Sequence, residues 1–152
     1  TMAHVVGKQL NYDMNRGADG SLTTTTNIES NGTPVEFGAM LTAGKVSHGS
    51  GTSTTSVDFG ASTSNGAALF VQVESLASGT VVMTVQDSSN NSSWGTLKAF
   101  TNATDRTSER ITIAGTIERY VRFTTSGSFS DAVLAVGICH GTAQDDAAYE
   151  TS

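Results

Sequence analysis

The stretch that decides the fold covers residues 80–100 and reads TVVMTVQDSSNNSSWGTLKAF. It contains an apolar strand pattern, a polar turn rich in Ser and Asn, and a second strand pattern opened by the sole tryptophan, Trp94. Two strand patterns separated by such a turn predict a β-hairpin. A hairpin alone is marginally stable, so its two arms need further strands to bury their apolar faces.

The rest of the chain supplies those strands. After residue 67 the patterns recur about every ten residues, which is typical of a sandwich or barrel. A short helix is allowed only near 102–110. The predicted strands cover residues 8–14, 22–29, 35–41, 67–74, 80–86, 94–100, 111–113, 119–125 and 132–140. The last of these is apolar on both faces, which predicts a central strand. We therefore expect an all-β fold, an antiparallel β-sandwich or barrel with long Gly/Ser/Thr-rich loops.

The 152 residues fit one domain. We expect a single β domain over residues 1–141, with an N-terminal arm at 1–7 and an acidic C-terminal tail at 142–152. Residues 45–57 are mostly small or hydroxyl-bearing, so they bury little apolar area to offset the entropy lost on ordering. This segment is predicted to be a mobile or interface loop.

The charge balance limits the classes of partner. Charged residues make up 14% of the chain and the net charge is −6, so the surface repels phosphate and disfavours sequence-specific nucleic-acid binding. No stretch has the roughly 20 apolar residues of a membrane span. The single cysteine, Cys139, has no partner for a disulfide within the chain and is expected to be a buried, inert thiol.

No catalytic or metal-binding motif stands out. The sequence has no G-x-S-x-G, phosphate-binding glycine loop or H-E-x-x-H pattern, and its histidines, His4, His48 and His140, lack metal-ligand spacing. We therefore predict a protein that is not an enzyme and that has no cofactor or metal.

Two aromatic residues allow alternative interpretations. Trp94 and Tyr120 would suit a glycan platform, since an exposed ring covers the apolar face of a sugar. Each also lies in a strand pattern, where burial of a large side chain contributes about 1.5–3 kcal/mol. The core interpretation is favoured for both residues, and the glycan platform stays open.

Four of the eight basic residues fall within residues 106–122, interleaved with Asp105, Glu109 and Glu118. This spacing favours ion pairs, within one subunit or between neighbours, over a phosphate-binding patch. The candidate assembly contacts are His4, Lys8, Lys45, His48, Arg119, Arg122, Asp145 and Asp146.

Several motifs resemble those of one known family. They are QDSSNNSSW at 86–94, ERI at 109–111, GTIERYVR at 115–122 and TSGSF at 125–129, followed by an apolar final strand. Together they resemble the C-terminal β domain of major tail, or tail tube, proteins of long-tailed bacteriophages. More distant similarity lies in DGSL at 19–22 and VEFGAMLTAGK at 35–45.

The resemblance implies a non-enzymatic structural protein of a tailed-phage virion that self-assembles as a tail tube subunit. It implies synthesis in the host bacterial cytoplasm, location in the virion tail or on the capsid surface, and contacts with major capsid or tail proteins. As a tail tube subunit, the protein would form a homo-oligomer, namely a hexameric ring. The first alternative function is that of a capsid decoration protein, which would form a trimer. A carbohydrate-binding β-sandwich module is the second alternative.

Overall fold

The computed structural model describes residues 2–4, 7–30 and 36–141, and describes their side chains except at 3–4, 7–12, 26–28 and 30. The regular structure in these ranges is entirely β, without a helix, so the predicted all-β class is confirmed. The described strands are β1 (Met2–His4), β2 (Gly7–Arg16), β3 (Leu22–Ser30), β4 (Glu36–Met40), β5 (Val46–His48), β6 (Thr52–Ser53), β7 (Val57–Asp58), β8 (Ala67–Gly79), β9 (Val82–Ser88), β10 (Gly95–Ala99), β11 (Thr107–Ile113), β12 (Tyr120–Ser126) and β13 (Phe129–His140).

The chain divides into two compact units. The smaller unit is Ala3–Phe37, and the larger contains Met2 and the chain from Gly38 onward. The expectation of one β domain over 1–141 stays a prediction.

Two antiparallel sheets form a β-sandwich. The first has the order β1-β4-β13-β8-β11, with β5 also paired to β13, and the second has the order β10-β9-β12-β6, with β7 also paired to β12. β13 pairs with β8 on one side and with β4 and β5 on the other. The prediction of a central strand at 132–140 is therefore confirmed.

The core lies between the two sheets, and strand alternation builds it. In β9 the buried Met83 and Val85 alternate with partly exposed residues, and in β12 the buried Val121 and Phe123 do the same. They pack with buried residues of the first sheet, chiefly Leu69, Val71, Val73, Leu134, Val136 and Ile138. Since each large apolar side chain contributes about 1.5–3 kcal/mol when buried, this layer is the main source of stability.

A second apolar cluster comprises Ala68, Phe70 and Cys139, with Met2 packed against it. These side chains alternate with the core-facing residues of β8 and β13, so they lie on the opposite face of the first sheet. The thiol of Cys139 is buried, as predicted from the sequence.

The predicted hairpin at 80–100 is confirmed, with shifted ends. β9 and β10 pair antiparallel from Gly95 opposite Asp87 to Ala99 opposite Thr84, with an irregularity between Thr96 and Lys98. Asn90 organises the turn, since its side-chain oxygen accepts hydrogen bonds from the backbone amides of Ser92 and Ser93. Trp94 precedes β10, so the second strand opens one residue later than predicted.

Residues 45–57 contain the short strands β5 and β6 and the first residue of β7. Their role as a mobile or interface loop stays a prediction. Two other local predictions are wrong. The small residues Ala77, Ser78 and Gly79 are typical of a turn and predict one there, but they form the end of β8, which pairs with the start of β13. The helix allowed near 102–110 is absent, since Ala103 is buried in a bridge to Val81 and β11 starts at Thr107.

The smaller unit contains the β2–β3 hairpin, a two-stranded sheet with Arg16 opposite Leu22 at its tip. The Asp19-Gly20 pair predicts a hairpin turn, because glycine accepts a positive φ, and the structure confirms it. Asp19 Oδ1 accepts bonds from the amide and the hydroxyl of Ser21, and Gly20 has a φ of 84°. These bonds, the hydroxyl first, lower the pKa of Asp19.

Candidate functional site

The second sheet carries a cluster of Gln86, Trp94 and Arg122, which we name the Trp94–Arg122 cluster. Gln86 and Arg122 are directly opposite each other in the β9–β12 register and alternate with the buried Val85 and Val121, so both lie on the outer face. Arg122 Nε donates a 2.9 Å hydrogen bond to Gln86 Oε1. The central guanidinium carbon of Arg122 lies 4.2 Å from the centre of the Trp94 ring.

This arrangement differs from the expected role of Trp94 as a core residue. The ring is half-buried and belongs to neither apolar cluster of the described chain. Because Trp94 lies between the turn and β10, its ring packs against a cation on the sheet surface, a contact that contributes about 0.5–1 kcal/mol at exposed sites. The guanidinium covers part of the ring, which reduces the area available to a sugar.

Arg119 is held within the chain by Asp58. Its Nε and terminal nitrogen donate bonds of 2.7 and 2.8 Å to the two carboxylate oxygens of Asp58, and its guanidinium carbon lies 4.9 Å from the centre of the Tyr120 ring. These bonds from Arg119 are the main reason that the pKa of Asp58 falls to about 2, and the same pairing raises the pKa of Arg119. The contact joins β7 to the start of β12.

Tyr120, the second candidate platform residue, is half-buried and lies opposite Asp58. Like Trp94, it belongs to neither apolar cluster of the described residues. Since an arginine lies over each ring, Tyr120 and Trp94 are both cation-contacting surface residues.

An open cleft of about 490 Å³ lies in the larger unit, at the segment predicted to be a loop. Its lining is uncharged apart from the titratable His48, and consists of Met40, Leu41, Thr42, Ala43, Val46, His48, Thr52, Ser53, Thr54, Thr55, Ser56 and Val57. The short strands β5, β6 and β7 anchor this segment to β13 and β12. The cleft therefore offers apolar and hydroxyl groups rather than charge.

His48 lies on the inner side of this cleft. Its Nδ1 is 3.3 Å from Thr125 Oγ1, which also accepts a bond from the Thr52 amide. The ring is buried, and burial lowers its pKa. His48 thus contributes to packing instead of presenting a free contact.

The other candidate contacts are dispersed. Lys45 forms an exposed ion pair of 2.8 Å with Glu74, a type of contact that contributes little to stability. His4 is in β1 and Lys8 is in β2, but their side chains lie outside the described residues, as do Asp145 and Asp146 altogether. The structure brings Arg122 to Trp94 and Arg119 to Tyr120, but it joins neither Lys45 nor His48 to these pairs.

The sequence reading missed three exposed apolar side chains. Met14, Leu22 and Phe37 have exposed fractions of 61%, 64% and 68%. Residues 8–14 alternate so that Leu10, Tyr12 and Met14 share one face, a pattern that predicts a half-buried strand. The alternation pattern does not show how many strands a sheet contains. β2 and β3 form a sheet of only two strands, and Met14 and Leu22 are exposed on it.

The described residues offer little for catalysis or metal binding. No group of three His, Cys, Asp or Glu side chains in the described ranges is arranged to hold a metal ion. His140 stacks on Phe59 with the ring centres 4.3 Å apart, and burial lowers its pKa. The absence of an enzymatic activity, a cofactor and a metal stays a prediction.

A search for membrane-spanning helices in the described part of the chain found none of sufficient length and apolarity. Comparison with known proteins found no matching family model and no matching curated protein.

Proposed function

We propose that this protein is a non-enzymatic structural protein of a tailed-phage virion that self-assembles as a tail tube subunit. The motifs at 86–94 and 115–122 suggest the family, and the surface of the fold supports self-association. The observation that carries the proposal is the β2–β3 hairpin with its exposed apolar side chains.

Met14 and Leu22 share one face of this hairpin. Leu22 is opposite Arg16, which is two residues from Met14 on the same strand, and side chains two residues apart lie on the same face. Both side chains are more than half exposed. A two-stranded hairpin is marginal in water unless another surface covers one of its faces, so a second subunit is a natural partner.

Open sheet edges provide further contact surfaces. Among the described residues, β10 pairs only with β9, and β11 pairs only with β8. Edge strands with free backbone groups are templates for pairing with another chain, and an assembly protein uses this property productively. The overall negative charge suits a lumen that DNA passes without being retained.

The alternative function is that of a capsid decoration protein that binds the major capsid lattice as a trimer. The exposed face of the β2–β3 hairpin and the open edges of the sheets would also suit the contacts of such a trimer. Symmetry discriminates between the two, since a tube subunit forms six-fold rings. The carbohydrate-binding alternative is weaker because Arg122 and Arg119 occupy the surfaces of Trp94 and Tyr120.

The hairpin permits a matched test of self-association. We predict that Met14→Asp combined with Leu22→Asp keeps the protein dissociated in sedimentation velocity experiments at concentrations where the unmodified chain assembles. The control is Thr23→Asp combined with Thr25→Asp on the opposite face of the same hairpin, which should assemble like the unmodified chain. Equal assembly by both double variants would show that the apolar face of the hairpin is not an assembly contact.

A further inference from the structure

We propose that the cleft lined by residues of the segment 40–57 binds a small, uncharged alcohol with an aliphatic body, whose hydroxyl group hydrogen-bonds to Nε2 of His48. The cleft has the size of a small-molecule site, since its volume of about 490 Å³ lies within the range of roughly 300–1,000 Å³ typical of ligand pockets. This site is independent of the proposed function, because it belongs to a single copy of the chain and its lining does not include the β2–β3 hairpin.

His48 supplies the polar position of the site. Its side chain lines the cleft, is only 9% exposed and has Nδ1 3.3 Å from Thr125 Oγ1. Nε2, on the other side of the ring, forms no hydrogen bond with the described residues. A ligand that excludes solvent from this nitrogen must offer it a hydrogen bond, since a polar atom left unpaired costs affinity.

The other two buried residues of the lining add no free donor. Leu41 is apolar. The Thr42 hydroxyl is engaged twice, because it donates a 2.7 Å bond to the Gly44 carbonyl and accepts a 3.1 Å bond from the Val136 amide. The inner wall therefore offers one open hydrogen-bonding position in apolar surroundings, which suits a ligand with an aliphatic body and one polar group.

The electrostatics of the cleft favour an uncharged ligand. The lining residues, all within the described part of the chain, include no Lys, Arg, Asp or Glu. The charged residues that flank them in sequence are already paired, Lys45 with Glu74 and Asp58 with Arg119. Burial also lowers the pKa of His48, which keeps the imidazole neutral near pH 7. A charged ligand would lose hydration here without gaining a counter-charge.

A hydroxyl group matches His48 in both of its neutral tautomers. Thr125 Oγ1 either donates to Nδ1 or accepts from it, so Nε2 is a donor in one tautomer and an acceptor in the other. A hydroxyl group both donates and accepts, so it pairs with either form. A sugar fits less well, because the lining has no Trp, Tyr or Phe ring to cover the apolar face of a pyranose.

The depth of His48 favours a small molecule over the surface of another protein. The imidazole is buried, whereas Thr52, Ser53 and Thr55 of the same lining are exposed. A ligand must therefore pass these exposed residues to reach Nε2, and a slender aliphatic alcohol is able to do so.

NMR titration with hexan-1-ol tests the proposal, at protein concentrations too low for assembly. With ¹⁵N-labelled histidine rings, the alcohol should produce a saturable shift of the His48 imidazole signals and leave those of His140 unchanged. The His48 signals are those absent from His48→Phe. A dissociation constant in the millimolar range is expected for a ligand of this size.

Three variants locate the site through saturation transfer from the protein to the alcohol. His48→Phe keeps an aromatic ring but removes Nε2, and it should weaken binding about tenfold, as expected for one lost hydrogen bond. Ala43→Phe places a ring in the lining at an exposed position and should also weaken binding about tenfold while His48 is retained. The matched control is Ala114→Phe, at an exposed alanine outside the lining, which should bind like the unmodified chain.

Other probes test the chemistry of the ligand. Hexanoate and hexylammonium should bind at least about tenfold more weakly than hexan-1-ol, because their charge is unpaired in the cleft. Methyl glucoside should leave the His48 signals unchanged.

Four outcomes would each overturn the proposal. The first is the absence of a saturable His48 shift up to the solubility limit of hexan-1-ol. The second is equal affinity of the alcohol for Ala43→Phe and Ala114→Phe. The third is binding of the charged analogues or of methyl glucoside as tightly as the alcohol. The fourth is a shift of the His48 signals with protein concentration alone, which would indicate that a second copy occupies the cleft.

Discussion

Two arginines near the start of β12 occupy different electrostatic environments. Arg119 is bound on two nitrogens by Asp58, and this contact depresses the pKa of that carboxyl to about 2. Arg122 instead contacts the neutral groups of Trp94 and Gln86. The first arginine stabilises a strand junction through an ion pair, whereas the second is held on the sheet surface by uncharged side chains.

The stability of variants at single aromatic residues should distinguish core from surface. Phe123 is fully buried, so Phe123→Ala should lower the free energy of unfolding by about 3–5 kcal/mol. Trp94→Ala should lower it by about 1–2 kcal/mol, since the ring is half-buried and loses mainly its contact with Arg122. Urea unfolding of both variants provides the comparison. If Trp94→Ala lowered the free energy of unfolding as much as Phe123→Ala, Trp94 would have to be a core residue.

The buried His48 and the partly buried His140 predict a pH dependence of stability. Burial lowers the pKa values of His48 and His140 from the ordinary value of 6.5, although a hydrogen bond that His140 donates to the backbone of Glu118 partly opposes the shift at His140. As the pH falls below 6.5, the unfolded chain binds protons that the folded chain does not, so the free energy of unfolding should decrease. Above 6.5 this contribution should be constant.

Urea unfolding from about pH 7.5 to about pH 5 checks this expectation, because histidine is the side chain that ordinarily titrates in that range. His48→Gln combined with His140→Gln should flatten the profile there. Asp58, with a pKa of about 2, titrates far below this range and does not contribute. An unchanged slope in the double variant would show that other groups cause the dependence.

At the level of elements, Gly79 lies at the corner where the chain passes from β8 of the first sheet to β9 of the second. Its φ is 87°, and an added Cβ would collide with the Ser128 carbonyl oxygen. Gly60 has a similar φ of 81° but open space at the Cβ position. A substitution at Gly60 therefore measures the backbone strain without the collision. Gly60→Ala should destabilise the fold by about 1–2 kcal/mol. Gly79→Ala should cost more because the two chain segments must also move apart.

Thermal and urea unfolding of the two glycine variants provide the measurement. Comparable losses at both positions would mean that the close approach to Ser128 is unimportant. A larger loss at Gly79 would support the observed continuation of β8 to this residue.

A strand was predictable from the sequence where its apolar residues follow a clear pattern. The hairpin at 80–100 and the central strand at 132–140 have dense apolar patterns, and both were placed correctly. Residues 45–57 lack such a pattern. Their strands form through backbone hydrogen bonds to β12 and β13, and the buried side chain of His48 packs beneath them. Nothing in their local composition encodes those distant partners.

The candidate site was predictable only in part, for a similar reason. The sequence indicated that Trp94, Tyr120, Arg119 and Arg122 were noteworthy. Their pairing depends on the β9–β12 register, which places Arg122 opposite Gln86, and on the neighbouring β7, which places Asp58 near Arg119. Register across a sheet is a tertiary property, so the arginine–aromatic contacts were not foreseen.

At the level of the whole molecule, the sandwich has a continuous core between its sheets, while the β2–β3 hairpin presents apolar side chains at its surface. A chain with a well-formed core does not need exposed Met14 and Leu22 for its own stability. Large exposed apolar side chains are instead typical of interaction surfaces when they are grouped. This contrast is the basis for proposing self-assembly.

The most direct test of that central proposal is electron microscopy of the purified chain across increasing protein concentration. We expect six-fold rings that stack into tubes, since head-to-tail contacts between different surfaces close into rings or extend into filaments. Particles that remain monomeric at every concentration, or a stable trimer that binds only to expanded capsids, would contradict it.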